Sequence, residues 1–207
     1  MEMMAKQRAN TAEFLGAGKR LHALVVGGTG MLRGLTLALA GKGYIVSVIA
    51  RDATRLRALA DAAAGLPGGV NPLSLDYREG DRLQAALREA IAQHGPIVVA
   101  VCWIHSTAPH ALEQIAGVIE GSRVPCRLFH VRGSAAANPA EKAKQLPAWL
   151  EDCPHVRYRQ VILGFVVEPW GSRWLTHEEI SGGVLTAVQN DAAFHIVGTV
   201  EPWSMRP

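Results

Sequence analysis

The sequence predicts an α/β fold: a doubly wound parallel sheet of about seven strands, covered by helices on both faces, in a single domain. Three observations lead there. Apolar runs of strand length alternate with amphipathic stretches of helical length from residue 21 to the end of the chain. One run, residues 97–104, is apolar throughout, as befits a strand buried on both faces of a parallel sheet. A glycine cluster stands where the first run hands over to the first helical stretch.

Taken in order, the strands are expected at residues 21–26, 44–50, 70–75, 97–104, 126–131, 156–167 and 193–198. Between them the helical pattern falls at 31–41, 53–64, 81–94, 108–120, 139–150 and 176–189. Thr176 followed by Glu179 forms the signature of a capping box at the last helix. Each strand–helix–strand unit takes a right-handed crossover. Residues 168–174 read as a loop, and the apolar end of the chain, 201–207, is suited to docking on its own domain or on a second subunit. Residues 1–20 read as an arm before a domain that spans 21–207.

The composition narrows the function class. Of 207 residues 49% are hydrophobic and 19% charged, which is globular rather than disordered. A net charge of +3 gives no basic footprint for nucleic acid. No apolar run is long enough for a membrane span, and the N-terminus lacks the apolar core of a signal peptide. Cys102, Cys126 and Cys153 form no CxxC pair, so neither a metal site nor a disulfide framework is expected; a reduced, cytoplasmic setting fits.

The first strand runs into Gly27-Gly28-Thr29-Gly30 and then into a helix. Residues without a Cβ let the backbone approach a pyrophosphate, whose charge meets the free N–H groups of the helix start. This strand–glycine–helix context is that of a Rossmann dinucleotide site, with Gly27, Thr29, Gly30 and Met31 at the cofactor. The third glycine of the extended pattern, for close helix packing, is replaced by Arg33 and follows one position late as Gly34. Arg33 either reaches toward phosphate or faces outward. The second strand ends in Arg51-Asp52, 21 residues beyond Gly30. A guanidinium there suits the 2′-phosphate of NADP(H), where NAD(H) sites carry an acid. Asp52 is expected to cap the helix that follows.

These segments together resemble the short-chain dehydrogenase/reductase superfamily, over roughly residues 21–200. The resemblance implies that Asp76, in Leu75-Asp76-Tyr77, contacts the adenine amine. It implies that Ser134, after strand five, holds the position of the catalytic serine. It implies that Val166, in Leu163-Gly164-Phe165-Val166, lies where backbone groups hold the nicotinamide carboxamide. It also implies a homodimer or homotetramer. Two departures stand out. Trp103-Ile104-His105-Ser106 replaces the family's Asn-Ala-Gly, and the Tyr-x-x-x-Lys pair is absent: residues 139–150 contain Lys142 and Lys144 but no tyrosine.

With the usual proton donor missing, His105 and Ser134 are the candidate catalytic pair, because adjacent strand ends could bring them together around a nicotinamide. Equally, His105 could hold backbone carbonyls and Ser134 could cap a turn. Tyr158 falls in strand six as a packing residue, and His130 reads as a satisfied core histidine. The tryptophans and Arg173 of residues 168–174 could cover the nicotinamide, read an acidic substrate, or simply pack. Two functions follow: an NADPH-dependent reductase of a small carbonyl or imine compound, or an NADP(H)-sensing binding protein resembling the nitrogen-metabolite-repression regulators.

Overall fold

The computed structural model describes residues 20–137 and 146–207. A seven-stranded parallel sheet has the order β3-β2-β1-β4-β5-β6-β9. Its strands are β1 His22–Val26, β2 Ile45–Ala50, β3 Gly69–Ser74, β4 Ile97–Trp103, β5 Cys126–Gly133, β6 Val156–Leu163 and β9 Phe194–Val197. Five helices connect them: α1 Arg33–Gly41, α2 Ala53–Ala62, α3 Gly80–His94, α4 Ala111–Glu120 and α5 His177–Asn190. The doubly wound single domain read from the sequence is the observed one.

Side-chain alternation explains the layering. Every residue of β1 is buried, since neighbours flank it on both edges and helices cover both faces. Odd positions of β1 (Ala23, Val25) face one core with α1, α2 and α5, completed by Phe129, Val131 and Val161. Even positions (Leu24, Val26) face a second core with α3 and α4, completed by Ala100, Cys102 and Leu128. Pro72 sits in β3, an edge strand, where a missing N–H breaks no ladder on the open side.

At the end of the sheet away from the glycine turn, His22 is buried in a polar thread. Its Nδ1 donates to the Gly95 carbonyl at 2.7 Å, and its Nε2 lies 2.8 Å from Ser47 Oγ. Asn71 Nδ2 donates to the same hydroxyl at 3.0 Å. Burial lowers the His22 pKa to about 4, so the ring is neutral.

The structure differs from the sequence reading in two places. The strand expected over 156–167 breaks at Gly164, where a Cβ would sit on the Thr199 carbonyl oxygen. Beyond the break the chain leaves the sheet: β7 Phe165–Glu168 pairs antiparallel with β8 Gly171–Trp174. Residues 168–174 are thus largely a hairpin arm and not a loop. The helix expected at 139–150 falls in part on residues outside the described ones; of the remainder, Ala148–Asp152 is a 3-10 turn. The arm at 1–20 likewise lies outside the described residues except for Arg20.

Candidate functional site

The carboxyl ends of β1 to β6 bring the motif residues to one rim of the sheet, where doubly wound folds bind ligands. After β1 the chain turns through residues 27–32. Gly27 has a φ of +85°, which a side chain would strain. Gly28 is locked into the core side of the turn: a Cβ there would lie 2.8 Å from both Thr36 Oγ1 and Val48 Cγ1. Gly30 faces the other way, with nothing within 4 Å of a built Cβ.

The helix start behind this turn carries unspent positive potential. Leu32, at the N-cap, makes no side-chain hydrogen bond, and the first turn contains no acidic residue. The N–H groups of Met31 and Leu32 donate to nothing among the described residues. Such a terminus is a ready anion site. Arg33, the first helical residue, is exposed. Gly34 supplies the close packing that the sequence places one residue earlier, but against a helix rather than a strand. Its Cβ position lies 3.0 Å from Ser181 Cβ of α5, and Ser181 Oγ donates to the Met31 carbonyl at 2.7 Å.

At the end of β2, Asp52 caps α2, accepting from the N–H groups of Thr54 at 2.9 Å and Arg55 at 3.0 Å. Arg55 in turn pairs with Asp52 at 3.4 Å. Arg51 is exposed, and no hydrogen bond or ion pair holds it among the described residues. At the end of β3, both Asp76 oxygens accept from the Arg78 guanidinium, the shortest contact being 2.6 Å. These bonds hold the Asp76 pKa at about 2, with Arg51 adding a smaller electrostatic contribution. The position implied for an adenine contact is therefore already engaged by a neighbouring cation.

The ends of β4, β5 and β6 enclose a cavity of 260 Å³ beside the glycine turn. Met31, Trp103, Gly133, Ser134, Leu163 and Ile180 line it, together with Trp174 and Arg206. Trp103 lies against Gly27, with Cβ and Cδ1 each 3.5 Å from that residue's built Cβ. The indole thus fills the corner between glycine turn and cavity, where the family resemblance led one to look for an asparagine.

Of the catalytic candidates, Ser134 lines this cavity and is only 4% exposed. Its Oγ accepts from Arg206 Nε at 2.8 Å. His105 is exposed and stands edge-on to the Trp103 ring, centroids 5.5 Å apart; it is not among the cavity-lining residues. Val166 lies in β7 opposite Arg173, two residues beyond the cavity wall at Gly164.

His130 and Tyr158 belong to the interior. They share a hydrogen bond of 2.8 Å from Nδ1 to the phenol oxygen. Burial lowers the histidine pKa to about 4 and raises the tyrosine pKa to about 12. Arg173 is spent on carboxylates: Nε on Glu168 at 2.7 Å, Nη1 and Nη2 on Glu179 at 2.9 and 3.0 Å. Glu179 also closes the capping box of α5, and these bonds, with Arg173 foremost, lower its pKa to about 2.

The residue that sequence reasoning missed is Arg206. The chain end folds back over the hairpin, with Thr199 bridging to Phe165 and the Ser172 hydroxyl donating to the Met205 carbonyl. This brings the Arg206 guanidinium to 5.0 Å from the Trp174 ring centroid and 5.4 Å from that of Trp203. The tail therefore docks on its own domain, one of the two placements open from the sequence.

No family model matches the chain, and no curated protein matches its sequence. Solved structures do. A short-chain type dehydrogenase/reductase from Mycobacterium marinum is 19% identical, with 89% of this chain and 95% of that chain covered at a TM-score of 0.68. The alcohol dehydrogenase of Thermococcus sibiricus, solved with 5-hydroxy-NADP, is 15% identical, with coverage of 86% and 95% and a TM-score of 0.62. A metagenomic short-chain oxidoreductase in complex with NADP is 16% identical, with coverage of 87% and 97% and a TM-score of 0.57. The chain has the fold of the short-chain dehydrogenases/reductases, built as one doubly wound α/β domain.

Proposed function

We propose that this chain is an NADP(H)-binding member of the short-chain dehydrogenase/reductase superfamily that reduces a small carbonyl or imine compound. The observation that carries the proposal is the pairing of an uncapped helix start behind Gly27, Thr29 and Gly30 with the unpartnered Arg51. The residues present fit such a cofactor. Gly30 leaves the space that a pyrophosphate needs, Met31 and Leu32 offer N–H groups to it, and Arg51 meets the 2′-phosphate. Asp76 and Val166 extend the same track toward adenine and nicotinamide. Two of the similar structures contain NADP or a derivative of it, which supports the choice of cofactor.

NADPH, when bound, supplies a hydride to an electrophilic carbon. The chain must then orient the acceptor and deliver a proton. Ser134 Oγ accepts from Arg206 and so keeps its own O–H for the acceptor oxygen or nitrogen. Arg206 beside it favours negative charge developing on that hydroxyl. His105 is exposed beside Trp103 and outside the cavity lining, so the proton is replaced from solvent at the open rim. Met31, Leu163, Leu175 and Ile180 give the transfer site an apolar side, with the rim left open to solvent.

A second reading, NADP(H) sensing without turnover, is favoured by one observation: among the described residues the cavity lining contains neither tyrosine nor lysine. The experiment is calorimetric titration with NADPH and NADH, followed by NADPH consumption against aldehydes, ketones and cyclic imines. Tight NADPH binding with turnover supports the reductase. Tight binding with silence across the panel selects the sensor, and failure to bind either nucleotide refutes both.

A further inference from the structure

Of the rim cations that lack a carboxylate partner among the described residues, Arg51 included, Arg206 is the one that lines the cavity. Arg173 is paired with two carboxylates, Arg78 with Asp76 and Arg55 with Asp52. No carboxylate lies within ion-pair distance of Arg206 among the described residues. Its only side-chain hydrogen bond is from Nε to Ser134 Oγ, which leaves Nη1 and Nη2 with unused donors. Yet the group is held in place. Trp174 and Trp203 both stack on it, and its backbone N–H donates to the Trp203 carbonyl at 3.1 Å. Arg206 is exposed, and the two aromatic contacts bias its guanidinium toward this placement before any ligand arrives.

Its surroundings define what it would bind. Among the described residues Arg206 is the one charged residue lining the cavity, and Met31, Leu163, Leu175, Ile180 and two tryptophans supply most of the rest. At this open rim an anion would gain from the guanidinium chiefly through charge-assisted hydrogen bonds. One guanidinium edge matches a monoanionic carboxylate with two parallel hydrogen bonds. A phosphate dianion would call for a second cation, and none lines the cavity among the described residues.

We infer that Arg206 is the carboxylate receptor of this cavity, and that the compound it takes is a small oxo or imino acid. The inference rests on the reductase reading above and names its substrate class. The carboxylate sits on Nη1 and Nη2, in front of the two indole faces. Ser134, held by the same guanidinium through Nε, is then the hydroxyl nearest the bound carboxylate's neighbouring carbonyl or imine.

The test uses the full chain and two separate readouts. Tryptophan fluorescence follows titration with acetate, butanoate, benzoate and phenylacetate, each beside its uncharged amide, with and without saturating NADPH. Acids should bind at least about tenfold better than amides, from a charge-assisted bidentate pair. Arg206→Gln should erase that preference, and Arg206→Lys should restore part of it. Calorimetry with NADPH on the wild-type protein reads the glycine turn and Arg51 separately from the carboxylate titrations. Equal binding of acids and amides, no binding of any acid, or an unchanged preference in Arg206→Gln overturns the carboxylate site. Loss of NADPH binding in the wild type overturns the reductase reading instead, so the two failures are told apart.

Discussion

Gly28 and Gly30 lie two residues apart in one turn, yet alanine should act on them through different physics. At Gly28 the added methyl would meet Thr36 Oγ1 and Val48 Cγ1 at 2.8 Å and Val25 Cγ1 at 3.1 Å. None of these can move cheaply. All three side chains are fully buried, both valines are β-branched and stand in central strands, and Thr36 is tied to the Leu32 carbonyl at 3.0 Å. Overpacking of this kind costs about 1–3 kcal/mol. In a domain of this size that lowers the melting temperature by about 2–12 °C. At Gly30 a methyl meets nothing within 4 Å, so the fold should be unharmed, and a smaller unfolded-state entropy could add about 0.4–1 kcal/mol. The same methyl occupies the space left for a pyrophosphate, so NADPH affinity should fall about tenfold or more. Thermal denaturation by circular dichroism and NADPH calorimetry read the two effects separately. A Gly30→Ala protein that melts as low as Gly28→Ala, or that binds NADPH as well as wild type, would refute this division of labour.

Two further outcomes are expected. Arg51→Ala should weaken NADPH binding about tenfold, the value of one exposed charge-assisted phosphate contact, and leave NADH unchanged. Parallel loss for both nucleotides in calorimetry would show that the guanidinium does not read the 2′-phosphate. Stability should fall with acid between pH 6.5 and 4, because burial lowers the His22 and His130 pKa values to about 4. As the pH drops, the unfolded chain takes up these protons first, which costs about 2 kcal/mol per histidine at pH 5. Urea midpoints at pH 7 and pH 5 measure the loss, and His22→Asn should remove about half of it; a flat pH dependence in the wild type contradicts the assignment.

Much of the fold was legible because its signals are local. Burial on both faces makes β1 and β4 continuous apolar runs, and 3.6-residue periodicity marks α1 to α5 within a few residues of their observed ends. The caps were equally plain, since Asp52 and Thr176 act on N–H groups two and three residues away. The error at residues 156–167 has the opposite cause. Leu163 and Phe165 are both buried and both β-forming, so the run reads as one strand. What ends it is the Thr199 carbonyl packed against Gly164, a neighbour 35 residues on that no window contains.

The site divides along the same line. The proposed nucleotide track of Gly27, Gly30 and Arg51 is suggested by sequence because one strand–turn–helix unit and the next strand end carry it. The chemistry beyond it was not, because it depends on how distant segments meet. Arg173 looked available in sequence, close to two tryptophans, and is instead neutralised by Glu168 and Glu179. Arg206 looked like part of an anonymous tail, and reaches Ser134 across 72 residues of chain. Spacing gives both arginines equal claims; only the count of carboxylates around each one separates them. A cation already paired contributes fold stability, whereas one held by aromatic faces without a counter-ion retains the attraction that a carboxylate ligand would feel. That difference is why the substrate question moves from residues 168–174 to the chain end, and why the decisive variant is Arg206→Gln and not a change at Arg173.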